Sequence, residues 1–210
     1  MSISGWLSNN WIEIFGAVTG IIYVFLEIKQ SLWLWPVGIV TSAVYIWVFF
    51  HGKLYADMSL QGYYLVISVA GWYWWVRGDG AKGRGGEREK EELKVTRITK
   101  KLALILVIIF AGLYTVMYFV LSRLTDSPVP GFDAFLTSLS IVATWMLARK
   151  IYEHWFLWIV VDSVASGLFL FRGLYPTVIL YIVYCTMSFA GLREWKRSLM
   201  DQLQVQETGS

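Results

Sequence analysis

Three residues of one apolar run have the chemistry to bind a flat, cationic, aromatic molecule. Trp155, Trp158 and Asp162 are spaced by three and four positions, so a helix places them on one face over two turns. Their neighbours are apolar, which predicts that the carboxylate lies inside a membrane span. A charge there costs about 2.5–3.5 kcal/mol on insertion scales and marks a functional site by default. Indole faces beside a buried anion suit a cationic ring.

Both residue types also have a purely structural interpretation. Tryptophans form belts at the level of the lipid headgroups, and Trp155 lies near the start of its span. An aspartate such as Asp162 can hydrogen-bond a neighbouring helix and so hold a bundle together.

The composition is that of an integral membrane protein. The 210 residues are 57% hydrophobic and 16% charged, whereas soluble domains are about 45–50% apolar and about 25% charged. The single cysteine, Cys185, excludes an intramolecular disulfide framework. Neither His51 nor His154 has metal-ligand spacing, so we predict neither a metal nor a cofactor. Met1 to Asn10 is too short and lacks the basic start of a cleavable signal peptide.

Apolar stretches of about 20 residues predict an all-α fold with seven transmembrane helices. They lie at 11–28, 32–50, 54–76, 102–122, 131–149, 153–171 and 175–195. The predicted organisation is a three-helix unit at 11–76, a basic cytoplasmic linker at 77–101, a connecting helix at 102–122 and a second three-helix unit at 131–195. No strand precedes the glycines of the linker, which favours a flexible segment over a phosphate-binding loop.

The basic residues predict the orientation in the membrane. If the amino end is outside, 15 of the 18 Lys and Arg residues lie on the inner side, most of them in the linker. Such a bias places the amino end outside and the carboxyl end inside, which requires an odd number of spans.

The two ends of the chain repeat each other. A shift of 120 residues aligns 15 identical residues over positions 15 to 75, among them Trp35 on Trp155 and Gly71 on Gly191. The repeat is parallel, with its axis along the membrane normal, and substrate sites in such folds lie near the midplane between the repeats.

Departures from this repeat indicate where an asymmetric ligand binds. Asp162 aligns with Ser42, Trp158 with Gly38, and Gln61 with Tyr181. Together with the motif residues, the full set of predicted substrate-binding residues is Trp155, Trp158, Asp162, Gln61, Thr41, Ser42, Gly38 and Tyr184.

Several motifs resemble the PnuC-type family of bacterial vitamin transporters. They are the run from Leu147 to Trp158 followed by Gly173-Leu174-Tyr175, Gly71-Trp72-Tyr73-Trp74-Trp75, and Leu54-Tyr55-Ala56 followed by Gln61. The resemblance implies a multi-pass protein of the bacterial inner membrane, commonly a trimer. It further implies that a small cationic aromatic vitamin enters by facilitated diffusion and is trapped by intracellular phosphorylation. It implies no nucleic-acid partner.

The residue at position 162 guides the substrate prediction. In the nicotinamide riboside transporters of this family an Asn follows the second motif Trp by four positions, whereas this chain has Asp162. With the residues from Trp145 to Lys150 before it, this aspartate resembles the thiamine-transporting branch. We therefore expect thiamine as the substrate, with nicotinamide riboside as the alternative.

Other classes of protein fit less well. A seven-helix receptor does not explain the repeat, and a retinal protein needs a lysine in its last span, where residues 175–195 have none. The chain has no HExxH, no Gly-x-Ser-x-Gly and no P-loop, which argues against a membrane enzyme and against an ATP-driven pump.

Overall fold

The structure, a computed structural model, describes residues 11–53, 55–78 and 93–208. Within these ranges the chain folds into seven helices: α1 (Trp11–Ile28), α2 (Leu34–His51), α3 (Tyr55–Arg77), α4 (Lys100–Leu124), α5 (Pro130–Ala148), α6 (His154–Phe171) and α7 (Tyr175–Thr208). Residues 1–10, for which we predict no cleavable signal peptide, lie outside the described residues, as do Leu54 and the linker glycines beyond Gly78.

The helices confirm the predicted all-α membrane fold. Six of those described are long and apolar enough to cross a membrane, namely all except α3. With 23 residues, α3 reaches about 34 Å at about 1.5 Å per residue, which exceeds the roughly 30 Å hydrocarbon core. Its hydropathy is lowered by Gln61 and by several tyrosines and tryptophans.

Helix boundaries fall within two residues of those predicted, except at the carboxyl end. There α7 continues to Thr208 instead of ending near residue 195. The prediction measured only the apolar stretch, whereas the helix goes on as an amphipathic segment. Leu199 in this extension is buried against the bundle, which gives the extra turns an apolar contact.

The prediction of a flexible linker is wrong for residues 93–99. Residues 93–99 form an extended segment in which Leu93 and Val95 are buried. Thr96 makes a parallel bridge with Ile151, because the Thr96 N–H donates to the Lys150 carbonyl at 3.0 Å and the Tyr152 N–H to the Thr96 carbonyl at 2.9 Å. The segment is held by the turn between α5 and α6, a distant contact that its own polar sequence does not predict.

The 120-residue correspondence is visible in the backbone. Gln30 and Lys150 both have a φ of 51°, and Lys53 and Gly173 have φ values of 56° and 72°. The two residues of each pair are 120 positions apart. Each residue lies in the turn that follows a helix, at the equivalent place in the two units. The same left-handed conformations at equivalent positions support the division into two three-helix units.

Two glycines allow equivalent close approaches of an indole ring. A Cβ on Gly71 would overlap the ring of Trp35, and a Cβ on Gly191 would overlap the ring of Trp155. Each pair joins the second helix of a unit to the third, so α2 packs on α3 as α6 packs on α7.

The two units are joined at one end by four tryptophans, Trp35, Trp75, Trp155 and Trp195, which together form the tryptophan cluster. Ring centroids are 5.3 Å apart for Trp35 and Trp75, 5.9 Å for Trp155 and Trp195, and 6.4 Å for Trp75 and Trp195. Across the units, α1 packs against α7 and α3 against α5. The connecting helix α4 belongs to neither unit and packs on α5.

Replacing Gly71 by alanine should lower the melting temperature of the purified protein. The added Cβ overlaps the ring of Trp35, and overpacking of this kind costs about 1–3 kcal/mol. Gly62 on the same helix has nothing within 4 Å of its Cβ position, so Gly62→Ala is the matched control and should leave the melting temperature unchanged or raise it. A Gly71→Ala protein as stable as the Gly62→Ala protein would contradict the close packing.

Candidate substrate cavity

A cavity of about 330 Å³, lined by both polar and aromatic side chains, lies between the two three-helix units. Its lining includes every residue that the sequence predicts for the site: Gly38, Thr41, Ser42, Gln61, Trp155, Trp158, Asp162 and Tyr184. They come from α2, α3, α6 and α7. The structure brings all eight together, and their role in binding stays a prediction.

The motif tryptophans on α6 line the cavity wall, Trp155 buried and Trp158 partly buried. Trp155 is 0% exposed, so it does not belong to a headgroup belt. The indole nitrogens of Trp155 and Trp158 have no hydrogen-bond partner among the described residues. Trp35, the counterpart of Trp155, has the same unpaired nitrogen, so this feature belongs to the repeat.

Trp158 has no such counterpart, because the equivalent position in the first unit is Gly38. A Cβ at Gly38 would meet the Ser68 hydroxyl oxygen at 2.8 Å and the Tyr23 ring at 3.1 Å, so α2 has no room for a side chain there. The Trp158 N–H is thus a buried donor found on one side of the cavity only. An unsatisfied buried donor costs about 1–3 kcal/mol, which a ligand acceptor would offset.

Asp162 is 4% exposed and lines the same wall. The Ser188 hydroxyl donates to its Oδ2 at 3.1 Å, so the carboxylate does bridge α6 to α7, as the structural interpretation expected. One serine does not saturate a carboxylate, which has about four acceptor positions. The bridge therefore orients Asp162 and leaves acceptor capacity for a cationic or hydrogen-bonding ligand.

The described residues around the cavity give it a negative character. Two carboxyl groups line it, those of Asp162 and Glu27, and the described part of the lining includes no lysine or arginine. Glu27 Oε1 lies 3.0 Å from His154 Nε2. Neither Glu27 nor His154 is among the residues that the sequence predicts for the site. The available signal was a glutamate in the last turn of an apolar span and a histidine beside a motif tryptophan.

Two similar three-helix units around a buried polar cavity define a membrane transporter of the repeat type. The family model of the nicotinamide mononucleotide transporters matches residues 10–197, and the chain belongs to this family. It is a multi-pass protein of the bacterial inner membrane.

Individual relatives share about a quarter of their residues with this chain. The nicotinamide riboside transporter PnuC of Escherichia coli K12 is 24% identical over 223 residues, which cover 95% of this chain and 90% of the relative. The riboflavin/roseoflavin transporter RibM of Streptomyces davaonensis is 28% identical over 199 residues, with 94% and 90% covered. A crystal structure of the vitamin B3 transporter PnuC matches with a TM-score of 0.70 and 26% identity, over 92% of this chain and 84% of that one.

These comparisons confirm the predicted PnuC-type family. The two relatives are named for nicotinamide riboside and for riboflavin, so they do not confirm the resemblance to the thiamine-transporting branch. They favour nicotinamide riboside, the alternative, over thiamine.

A cysteine in the cavity should react faster with a cationic than with an anionic methanethiosulfonate reagent of similar size. Thr41 lines the cavity, and the negative wall should raise the local concentration of a cation on the order of tenfold. The test uses Thr41→Cys in a Cys185→Ser background, with Gly52→Cys, an exposed position just after the end of the same helix, as the control. Equal rates with both reagents at Thr41→Cys would contradict the negative character of the cavity.

Proposed function

We propose that this protein imports nicotinamide riboside by facilitated diffusion. The observation that carries the proposal is a cavity whose described lining combines two indoles, a buried carboxylate and no basic residue. Two relatives that are named nicotinamide riboside transporters support this substrate.

The chemistry of the vitamin matches the cavity wall. Its pyridinium ring is flat and positively charged, and such a ring gains about 0.5–2 kcal/mol over an indole face. Asp162 balances the charge in a low dielectric, where an unpaired carboxylate is costly. The carboxamide on the ring both donates and accepts hydrogen bonds, which suits the amide of Gln61 and the unpaired N–H of Trp158.

The same charges support one-way accumulation by trapping. A phosphorylated vitamin adds negative charge to a cavity that already has a carboxylate, and the described lining offers no lysine or arginine to receive a phosphate. Phosphorylation inside the cell would therefore keep the product from leaving by the same route. A homotrimer, as the family resemblance implies, is part of this proposal.

Proteoliposomes test substrate and mode of transport together. Nicotinamide riboside supplied on one side should equilibrate to the same final concentration with and without an uncoupler. Nicotinamide mononucleotide should enter at least about tenfold more slowly, because its phosphate meets carboxyl groups and no cation of the described lining. Accumulation above the external concentration in kinase-free vesicles would contradict facilitated diffusion, and equal entry of the mononucleotide would contradict the assignment to the riboside.

Thiamine is the second candidate, because position 162 holds a carboxylate. Its thiazolium ring is also a flat aromatic cation, and Asp162 is a charged partner where the riboside transporters have an amide. Riboflavin has no positive charge, so Asp162 offers it no comparable advantage.

The Asp162→Asn variant separates the two vitamins. It removes the charge and keeps the shape, so the affinity for thiamine should fall on the order of tenfold, or about 1.4 kcal/mol. The affinity for nicotinamide riboside should fall less, because the family resemblance places an Asn at this position in the riboside transporters. Calorimetry on purified protein measures both. Asp133→Asn, whose carboxylate bonds Ser127 on another part of the fold, is the control. Unchanged thiamine affinity would show that Asp162 acts only in packing through Ser188.

A further inference from the structure

The pair of Glu27 and His154 is a buried polar contact for which the proposed function has no role so far. Glu27 ends α1 and is 2% exposed, yet it lines the cavity. His154 begins α6 and is completely buried between Trp155 and Trp195, with ring centroids 4.7 and 4.6 Å away. The contact therefore crosses from one three-helix unit to the other beside the tryptophan cluster.

The hydrogen bonds determine how many protons the pair holds. His154 Nδ1 lies 2.7 Å from the Ile151 carbonyl oxygen, which can only accept, so Nδ1 carries a hydrogen. His154 Nε2 lies 3.0 Å from Glu27 Oε1, and this contact needs one further proton, on either the imidazole or the carboxyl group. In both forms the pair has no net charge and Oε2 of Glu27 is an acceptor.

The repeat provides an internal comparison for this pair. The equivalent positions of Glu27 and His154 are Leu147 and Leu34, and both leucines are 0% exposed. At the equivalent junction, between α5 and α2, the fold thus has two buried apolar side chains. A buried polar pair is not required to build the junction, which points to a role of Glu27 toward the cavity that it lines.

We propose that Glu27 is a second substrate-recognition residue, which accepts a hydrogen bond from an uncharged donor of the substrate while Asp162 balances the cationic ring. His154 is a positioning residue, because it holds Oε1 and so fixes the carboxyl group. This role of Glu27 rests on the proposed function and adds to it. Because the pair of Glu27 and His154 has no net charge, Asp162 is the carboxyl group of the described lining that is left to match a substrate with one positive charge.

The donor that Glu27 would bind lies away from the cationic ring. In nicotinamide riboside it is a sugar hydroxyl, and in thiamine it is the amino group of the pyrimidine ring. Two pairs of ligands test these two donors separately: nicotinamide riboside with 1-methylnicotinamide, and thiamine with oxythiamine. In 1-methylnicotinamide a methyl group replaces the sugar on the same cationic ring, and in oxythiamine an oxygen replaces the amino group.

The test variant is Glu27→Leu with His154→Leu, which installs the leucine pair found at the equivalent junction. Glu27→Gln is the conservative control, because its amide donates to neutral His154 Nε2 and keeps an oxygen acceptor toward the cavity. If the double variant does not fold, Glu27→Met replaces it as the test variant, because methionine has a similar length and no carboxyl oxygen to accept a hydrogen bond. Melting temperatures establish folding, and calorimetry measures the affinity for each of the four ligands.

Loss of the acceptor should lower the affinity for nicotinamide riboside, for thiamine or for both by about tenfold or more. The partner compound without the donor should bind as it does to the unchanged protein, and Glu27→Gln should retain most of the affinity. Equal affinities in all variants, or equal losses for both members of each ligand pair, would overturn the role of Glu27. Failure of the unchanged protein to bind either vitamin would instead contradict the proposed function, and the role of Glu27 with it.

Discussion

Two reciprocal hydrogen bonds hold the halves of this protein together. The Trp75 N–H donates to the Ala148 carbonyl at 3.2 Å, and the Trp195 N–H donates to the Glu27 carbonyl at 3.0 Å. In each bond the last helix of one unit satisfies a carbonyl at the end of the first helix of the other. The last carbonyls of a helix have no partner within it, and a buried end without a donor is costly. The two bonds therefore tie the last helix of each unit to the end of the first helix of the other, and the cavity forms where the two units meet.

Within this symmetric frame, the differences between the units make the site selective. Trp158 stands opposite Gly38, Asp162 opposite Ser42, and the pair of Glu27 and His154 opposite two leucines. A two-fold arrangement of identical groups would present the same chemistry to both ends of a ligand. These differences instead give α6 an indole and a carboxylate that α2 lacks, which suits a molecule with a cationic ring at one end.

How much the sequence predicts depends on the range of the interaction. The helices follow from local hydropathy, and Trp155, Trp158 and Asp162 follow from their spacing in one apolar run. The 120-residue shift, which aligns α2 with α6 and α3 with α7, adds Gln61, Ser42 and Gly38 as departures from the repeat. The extended course of residues 93–99, in which Leu93 and Val95 are buried, depends on the distant turn at Ile151. The contact of Glu27 with His154 joins residues 127 positions apart. The sequence around either residue does not predict this contact. The choice among related vitamins was the least predictable part, because it depends on the placement of a few polar atoms.

The decisive measurement is a structure of the protein with bound nicotinamide riboside, because the position of the vitamin shows whether the asymmetric wall of the cavity recognises its cationic ring. We expect the pyridinium ring in contact with Trp158 and Asp162. Density for the vitamin outside this cavity, for example in the groove between α4 and α5 lined by Phe110, Tyr114 and Phe135, would contradict that recognition.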